Sequence, residues 1–437
     1  MGRLRGAHAN HKRIAAGALW IAVLVAAAKL FVAAREMALA WRYGVSATVD
    51  AYQFAFTIIT WLPLILAALA SAVLVPRLVA LHRDPAAYRR FTAELNGTAL
   101  AVGLAVALLS WFLAPRIVGL VATDFDPDAL RLARSMATQL SPVAFLVTAA
   151  GYLAARLQAR ERYAYSFAEA VPALAIALFV ILAPGRDGGA VLIWGTLVGY
   201  VAQALWLADL TRRSDPPLLQ LGLRHRAPEW KLVYMPLLVM AAGQVVLTVT
   251  NPVDVAFAAQ LGEGAVATLG YANRIVGLIV GFSLVVVGRA LLPVLSGAVA
   301  DGEHALGTRQ SLQWAMLLFG IGAAAVIAGW PLAPTAVALI FERGAFDSAD
   351  SAVVTHVLRY GLLQLPFVFG GLVLVQWIAA SGRYGVLLAV ACLALVVKIT
   401  MNLLLLQPLG LAGLMAATAG MYAVSFLGQL AFVMRKR

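Results

Sequence analysis

Apolar residues fill long stretches of the chain, and short polar stretches separate them. Twelve apolar stretches reach about 20 residues, which is the length that an α-helix needs to cross the hydrocarbon core of a bilayer. The pattern therefore predicts an all-α polytopic membrane protein with twelve spans. The predicted spans lie at residues 14–41, 49–76, 94–120, 130–155, 164–184, 189–210, 230–259, 268–298, 311–333, 351–380, 385–406 and 409–433.

Positive charges cluster in alternate polar stretches. They follow the second, fourth and sixth predicted spans and close the chain, whereas the other stretches are more acidic or carry few charges. Lys and Arg accumulate in the cytoplasmic loops of membrane proteins, so we expect both termini to be cytoplasmic. The clusters are Arg77, Arg83, Arg89 and Arg90; Arg156, Arg160 and Arg162; Arg212, Arg213, Arg224, Arg226 and Lys231; and Arg435, Lys436 and Arg437.

Two halves of the chain carry a repeated spacing. The dipeptides Phe125-Asp126 and Arg162-Tyr163 are separated by 35 residues. The same number of residues separates Phe346-Asp347 from Arg383-Tyr384. Six predicted spans lie between the copies, which predicts two pseudo-symmetric bundles of the same orientation, related by an axis along the membrane normal.

The repeat and a polar linker between its copies predict the domain organisation. We expect an N-terminal six-helix bundle at 1–213, a cytoplasmic linker at 214–229 and a C-terminal six-helix bundle at 230–437. Secondary transporters with such repeats bind their substrate near the bilayer midplane, between the repeats. The sequence therefore predicts a central polar cavity.

Composition supports a membrane protein and excludes several other classes. The chain has 437 residues, of which 62% are hydrophobic and 12% charged, whereas soluble domains are about 25% charged. The net charge of +13 is explained by cytoplasmic loops, so we expect no nucleic-acid partner.

Cys392 is the single cysteine, which excludes disulfides within the chain and thiol metal sites, and we expect neither a metal nor a cofactor. The first apolar run is too long for a signal peptide and is expected to be a retained helix.

Charged residues inside the predicted spans are the candidate site. A charge at bilayer depth costs a few kcal/mol even on lenient scales, so such residues usually face a bundle interior or a wet cavity. Arginine from both halves would attract an anion, because its planar fork suits phosphate and carboxylate. The sequence therefore predicts a cationic cavity with associated carboxylates. The candidate substrate-binding residues are Arg35, Arg274, Asp50, Lys29, Glu36 and Asp254.

Structural roles compete with this interpretation. Arg35 and Glu36 could form an ion pair or reach an interface, and Arg274 could likewise extend to an interface. Asp50 could cap its own helix. Hydrogen bonds between helices better explain three other polar residues in the spans, Lys398, Asn402 and Glu169. Arg42, at the end of the first span, is expected to lie at a membrane interface.

Several motifs resemble the MurJ/MviN lipid II flippase family. The first hairpin carries Arg35-Glu36, Gly44, Asp50-Ala51-Tyr52 and Val75-Pro76 in order. The later motifs are Tyr271-Ala272-Asn273-Arg274, Leu291-Leu292-Pro293-Val294-Leu295-Ser296, Phe341-Glu342-Arg343-Gly344-Ala345-Phe346 and Gln407-Pro408-Leu409-Gly410-Leu411-Ala412-Gly413-Leu414.

The resemblance covers nearly the whole chain and implies the fold of the multidrug/oligosaccharidyl-lipid/polysaccharide exporter superfamily. That fold is a V-shaped alternating-access transporter with a cationic cavity. By the same resemblance, Arg35 and Arg274 are expected to contact a diphosphate, with Asp50 beside them. Lys29 stands where the family commonly has arginine.

The chain also differs from the usual family pattern. Residues 61–75 carry no charge, Asn273 replaces a common aspartate, and the two further helices of the murein flippase do not follow residue 437. These differences predict a less anionic head group, another polyprenyl-linked glycan, or a relative with altered function.

Three functions compete. The first is a flippase for a polyprenyl-diphosphate-linked saccharide, lipid II or another glycan, in the bacterial inner membrane. Its expected partners are that lipid, the membrane lipids, and the membrane potential or a coupling ion, and we expect a monomer. The second is a cation-coupled multidrug exporter of the same superfamily. The third, a membrane glycosyltransferase, needs acidic or metal-binding residues, and the longest hydrophilic loop offers only Asp215 and Glu229.

Overall fold

The regular structure is helical throughout the part of the chain that is described. The computed structural model describes residues 24–122, 125–184, 189–215, 220–222, 224–290 and 304–435, and no strand occurs among them. The helices are α1 (24–43), α2 (Ala47–Leu69), α3 (Val75–Leu81), α4 (Pro85–Val121), α5 (Pro127–Gln139), α6 (Ser141–Ala159), α7 (Ala170–Leu182), α8 (Ala190–Ser214), α9 (Tyr234–Thr248), α10 (Thr250–Ala258), α11 (Ala265–Ala290), α12 (His304–Phe341), α13 (Ser348–Leu362), α14 (Leu365–Ala380), α15 (Tyr384–Leu409) and α16 (Leu411–Met434).

Long apolar helices confirm the polytopic all-α class. Among the described residues, nine helical spans are long and apolar enough to cross a membrane, or ten if the bent pair α5 and α6 is one span. The predicted first and eighth spans correspond to α1, which carries four charged residues, and to α11, whose apolar part is shorter. The predicted number of twelve therefore stays a prediction.

Two prolines, Pro142 and Pro76, have different effects on the helices around them. The 43° bend between α5 and α6 falls directly before Pro142, which has no N–H to continue the helical ladder. By contrast, the helix continues past Pro76, where the predicted second span ends. A π-helical turn, Ala70–Leu74, precedes Pro76 and α3 continues to Leu81. Such a turn locally widens the helix, which relieves the clash between the proline ring and the preceding turn.

Packing divides the described residues into two compact units. The first unit holds those within Met1–Arg42, Ala55–Leu120 and Ala129–Gln244. The second unit holds those within Tyr43–Phe54, Val121–Asp128 and Val245–Arg437. The boundaries predicted at residues 213 and 230 stay a prediction.

Each unit has its own apolar core. In the first unit, Phe91 of α4 and Trp230 lie in one buried cluster, with their rings 5.5 Å apart. In the second unit, Ala315, Trp377 and Phe426 belong to a cluster of α12, α14 and α16.

Repeat-related residues adopt the same local backbone in the two halves. The amides of Arg162 and Arg383 each donate to the carbonyl five residues earlier, at 3.0 and 3.1 Å. Gly44, eight residues after Glu36, and Gly262, eight residues after Asp254, both have positive φ, at 58° and 91°. The two halves therefore share these local backbone conformations, and the predicted pseudo-symmetry of two bundles stays a prediction.

Candidate functional site

Arg35 and Glu36 form an ion pair in the middle of α1, within the first unit. Arg35 is 9% exposed and Glu36 is 3% exposed. Burying either charge alone would be costly, and the pair reduces that cost. This contact matches the structural alternative that the sequence left open.

Lys29, one and a half turns earlier on α1, pairs with Glu169. The Lys29 Nζ lies 2.6 Å from Glu169 Oε2, and both side chains are about half exposed. The predicted hydrogen bond of Glu169 between helices is confirmed, and it is also an ion pair with Lys29 of α1.

Arg42 is buried at the end of α1, and its predicted place at a membrane interface stays a prediction. Its Nη1 donates to the carbonyls of Val180 and Ala183, at 2.5 and 2.8 Å. These carbonyls lie at the C-terminal end of α7, where backbone acceptors are left without helical partners. Arg42 therefore caps α7.

Asp50 caps α11 and not its own helix. Its carboxylate, in the first turn of α2, is 1% exposed and accepts hydrogen bonds from the amides of Gly264 and Ala267, the latter at 2.6 Å. Both amides belong to the N-terminus of α11, where free N–H groups and the helix dipole favour a negative charge. The sequence allowed an N-cap role for Asp50, and the structure shows which helix is capped.

The contact between Asp50 and the N-terminus of α11 requires glycine at position 264. Gly264 has φ +81°, and a Cβ there would lie 2.5 Å from Val45 Cγ1. Tyr271 of α11 adds a second contact, since its hydroxyl donates to the carbonyl of Gly44 at 3.1 Å. Asp50 thus holds residues 43–54 to the N-terminus of α11. Tyr271 holds them two turns further along the same helix.

Arg274 lies on this capped helix. It is exposed and follows Ala267 by seven residues, which is about 10 Å along an α-helix. Asp50 therefore fixes the N-terminus of the helix that presents Arg274, about two turns away.

Asp254 pairs with Lys398 in the interior of the second unit. Lys398 is fully buried and its Nζ lies 2.7 Å from Asp254 Oδ1. Asn402, also fully buried, donates to the same oxygen at 3.0 Å. The predicted hydrogen bonds of Lys398 and Asn402 between helices are confirmed, and their partner is one of the candidate site residues. A role of Asp254 in substrate binding stays a prediction.

A buried polar cluster in the first unit has Asp215 at its centre, and the sequence analysis missed it. Both Asp215 and Arg156 are fully buried, and Arg156 Nε donates to Asp215 Oδ2 at 2.8 Å. Tyr88 and Arg160 donate to the same carboxylate at 2.7 Å each. In the sequence, Asp215 is visible as a lone aspartate in an otherwise basic stretch. The sequence analysis considers it only as a candidate catalytic group of a glycosyltransferase.

The charge balance in this cluster lowers the pKa of Asp215. Burial by itself would raise it, but the Arg156 charge and the hydrogen bonds from Tyr88, Arg156 and Arg160 hold the pKa below its usual range. The carboxylate is therefore ionised at neutral pH. The pKa of the nearby His82 is lowered by burial and by the charge of Arg160.

A second missed carboxylate fixes the linker after α8. Glu94 of α4 accepts hydrogen bonds from the amide of Ala227 at 3.1 Å and from Trp230 Nε1 at 2.7 Å. Gly222 donates to the carbonyl of Ala93 at 2.7 Å. The described linker residues therefore pack on the start of α4, within the first unit.

Two other kinds of site are not supported within the described ranges. The second unit contains an apolar pocket of about 490 Å³ between α12, α14 and α16, lined by residues such as Val326, Pro366 and Phe367, which offers a charged head group no polar partner. No group of three or more His, Cys, Asp and Glu residues suitable for a metal occurs among the residues that the structure describes.

Similarity to known proteins identifies the family. Residues 39–437 match the profile of the family described as lipid II flippase MurJ. The chain belongs to the MurJ family. This confirms the resemblance drawn from the motifs around Arg35, Asp50 and Arg274.

Curated MurJ relatives align with much of the chain. A probable lipid II flippase MurJ of Rhizobium meliloti (strain 1021) is 31% identical over 296 residues, covering 64% of this chain and 53% of the relative. The corresponding protein of Synechocystis sp. is 27% identical over 437 residues, covering 93% of this chain and 78% of the relative. The chain thus spans about half the length of the first of these relatives.

Solved structures confirm the fold of the superfamily. A lipid II flippase MurJ in an inward closed conformation matches with a TM-score of 0.81 and 17% identity, covering 95% of this chain and 87% of that one. An inward-facing multidrug resistance MATE family transporter of the MOP superfamily matches with a TM-score of 0.76, also at 17% identity, covering 95% and 98%. These identities establish a common fold, and this MurJ-family chain is a multi-pass membrane protein.

Proposed function

We propose that this MurJ-family chain is a flippase that moves a polyprenyl-diphosphate-linked saccharide, lipid II or a related glycan, across the bacterial inner membrane. Membership of the family is the observation that carries the proposal, since its matched relatives are named lipid II flippases. Two arginines in predicted spans, Arg35 and Arg274, support it further, because guanidinium groups bind phosphate oxygens in a bidentate manner. The protein acts as a transporter and not as an enzyme.

The arginines differ in their expected roles. Arg274 is exposed on a well-capped helix and is the better candidate for direct contact with the diphosphate. Arg35 is buried and already donates to Glu36, so it is the weaker candidate for direct contact. Asp50 contributes by fixing α11 and not by touching the substrate.

Reconstitution into liposomes with a fluorescent lipid II analogue tests the proposal. Arg274→Ala removes a charge-assisted contact worth roughly 1.5 to 3 kcal/mol, so we expect head-group affinity to fall about tenfold to a hundredfold. Arg274→Lys should recover only part of this loss, because lysine provides a point charge without the planar fork. Arg309→Ala, at an exposed position on α12, is the matched control and should transport normally.

Arg35 requires a variant that preserves the local charge. Arg35→Ala alone leaves a buried Glu36 without its ion pair and could act through folding. The double variant Arg35→Gln and Glu36→Gln removes both charges together. A folded double variant that no longer flips the lipid supports a substrate role. Normal flipping by the double variant and by Arg274→Ala would refute a role of the two arginines in substrate binding, and export of a cationic drug in place of the lipid would favour the MATE-like alternative.

The orientation and the driving force belong to the same proposal. The alternation of positive charge supports cytoplasmic termini, and a reporter fused after the last residue should be active only in the cytoplasm. A monomer with a net positive site would respond to the membrane potential, since each charge that crosses is worth about 2.3 kcal/mol per 100 mV. Flipping that is independent of an imposed potential would exclude this driving force.

A further inference from the structure

The side chain of Lys398 fills a cage of oxygen atoms inside the second unit. Its Nζ lies 2.7 Å from Asp254 Oδ1, 2.9 Å from the carbonyl of Leu414 and 2.6 Å from Thr418 Oγ1. A lysine ammonium has three N–H donors, so each can meet one of these oxygens. The side chain is fully buried, and the cage holds the whole charge away from solvent.

The cage is formed by three helices of the second unit. Asp254 comes from α10, Lys398 and Asn402 from α15, and Leu414 and Thr418 from α16. The ammonium therefore bridges α15 to both neighbouring helices. Because Asp254 and Lys398 carry opposite charges, the cage is neutral as a unit.

The oxygen donors also suit a small hard cation. A carboxylate, a backbone carbonyl and a hydroxyl are the ligand types that alkali and alkaline-earth ions take in proteins. A further oxygen is at hand, because Asn402 Oδ1 is buried and has no hydrogen-bond partner among the described residues. Asn402 lies one turn after Lys398 on the same face of α15, and its amide nitrogen already donates to Asp254 Oδ1 at 3.0 Å.

We propose that the Lys398 ammonium is the built-in occupant of a monovalent-cation site formed by Asp254, Asn402, Leu414 and Thr418. The tethered charge keeps α10, α15 and α16 together without an ion from solution. Removal of the ammonium leaves a buried carboxylate and three neutral oxygens, which opens the site to Na⁺. This inference concerns the packing of the second unit and does not depend on the transported substrate.

Thermal unfolding of the purified full-length protein in detergent tests the site. Melting temperatures are compared in NaCl, KCl and choline chloride at equal ionic strength. The wild type should melt at the same temperature in all three salts. Lys398→Met should melt lower in choline chloride, because a buried carboxylate has lost its counter-ion, and its melting temperature should rise with the logarithm of the Na⁺ concentration.

Two further variants separate the site from general effects of charge. The double variant Lys398→Met and Asp254→Asn removes both charges, and it should show no response to Na⁺. Lys231→Met removes an exposed lysine of the linker and should behave as the wild type in every salt. If Lys398→Met gives folded protein only when it is purified in NaCl, that rescue by Na⁺ is the expected result.

Three outcomes would overturn the proposal. A wild type that Na⁺ stabilises specifically, with the effect lost in Asp254→Asn, would show that the ion and not Lys398 occupies the site. A folded Lys398→Met that responds to Na⁺ no more than the double variant would show that the oxygens do not bind cations. Failure of Lys398→Met to fold in any salt, while the double variant folds, would show that Na⁺ cannot replace the ammonium.

Discussion

Arg156 and Asp215 are joined across 59 residues of sequence by a fully buried ion pair, with Arg156 Nε 2.8 Å from Asp215 Oδ2. Arg156 also donates to the Asp215 carbonyl at 2.5 Å and to Asn96 Oδ1 at 2.8 Å. One guanidinium therefore connects the end of α6, the start of α4 and the residue after α8. This places the beginning of the linker within the core of the first unit.

Loss of the Asp215 charge should destabilise the protein strongly. Asp215→Asn leaves the buried Arg156 without its counter-ion, and removing one partner of a buried pair costs roughly 3 to 5 kcal/mol. We expect a clear fall in the melting temperature in detergent. The control is Asp209→Asn, which breaks the exposed pair with Arg213 and should cost less than about 1 kcal/mol. Equal effects of the two substitutions would contradict the assignment.

The Asp215 carboxylate should make the stability of the folded protein depend on pH in the acidic range. Its folded-state pKa lies below the unfolded value near 3.9, so the ionised form stabilises the fold above about pH 4. That contribution is lost as the pH falls through the folded-state pKa. The difference in melting temperature between the wild type and Asp215→Asn should therefore stay constant from about pH 5 to 8 and shrink below about pH 4. A difference that changes between pH 5 and 8 would show that another group is titrating.

Substitution of Asp50 should impair transport more than its effect on stability explains. Asp50→Asn keeps one acceptor for the N-terminus of α11 but loses the charge that interacts with the helix dipole, at a cost of about 1 kcal/mol. Asp347→Asn is the matched control, since Asp347 caps α13 by accepting from the amides of Ala349 and Asp350, both at 2.9 Å. We expect similar melting temperatures for the two variants and reduced flipping only for Asp50→Asn. Equal flipping would mean that the position of α11 does not matter for transport.

Gly264 should tolerate no side chain. Gly264→Ala forces a Cβ into a backbone of positive φ and against Val45 Cγ1 at 2.5 Å, so we expect a loss of stability of about 1 kcal/mol or more. Gly277→Ala, in the middle of α11, is the control because a Cβ there meets nothing within 4 Å. Alanine in place of glycine inside a helix usually stabilises it, so the two variants should shift the melting temperature in opposite directions. Thermal unfolding of both proteins in detergent provides the measurement.

The sequence by itself determined the membrane class, the helical content and the family. An apolar run that is long enough to cross a bilayer can form few structures other than a helix. In lipid, every backbone N–H and C=O of such a run must find its hydrogen-bond partner within the same segment. Spacing alone also predicted a repeat, and Arg162 and Arg383 close the same kind of turn at the corresponding positions. Local patterns of this kind depend on neighbouring residues, so they can be recognised along the chain.

Only the tertiary structure determined the partners of the charged residues. Asp254 pairs with Lys398, 144 positions away, and Asp50 caps a helix that begins more than 200 positions later. The energy of a buried charge depends on the atoms within a few ångströms of it, and these come from distant parts of the chain. For the same reason Asp215, a lone acid among basic residues, could not be recognised as the centre of a buried cluster until α4, α6 and α8 were brought together.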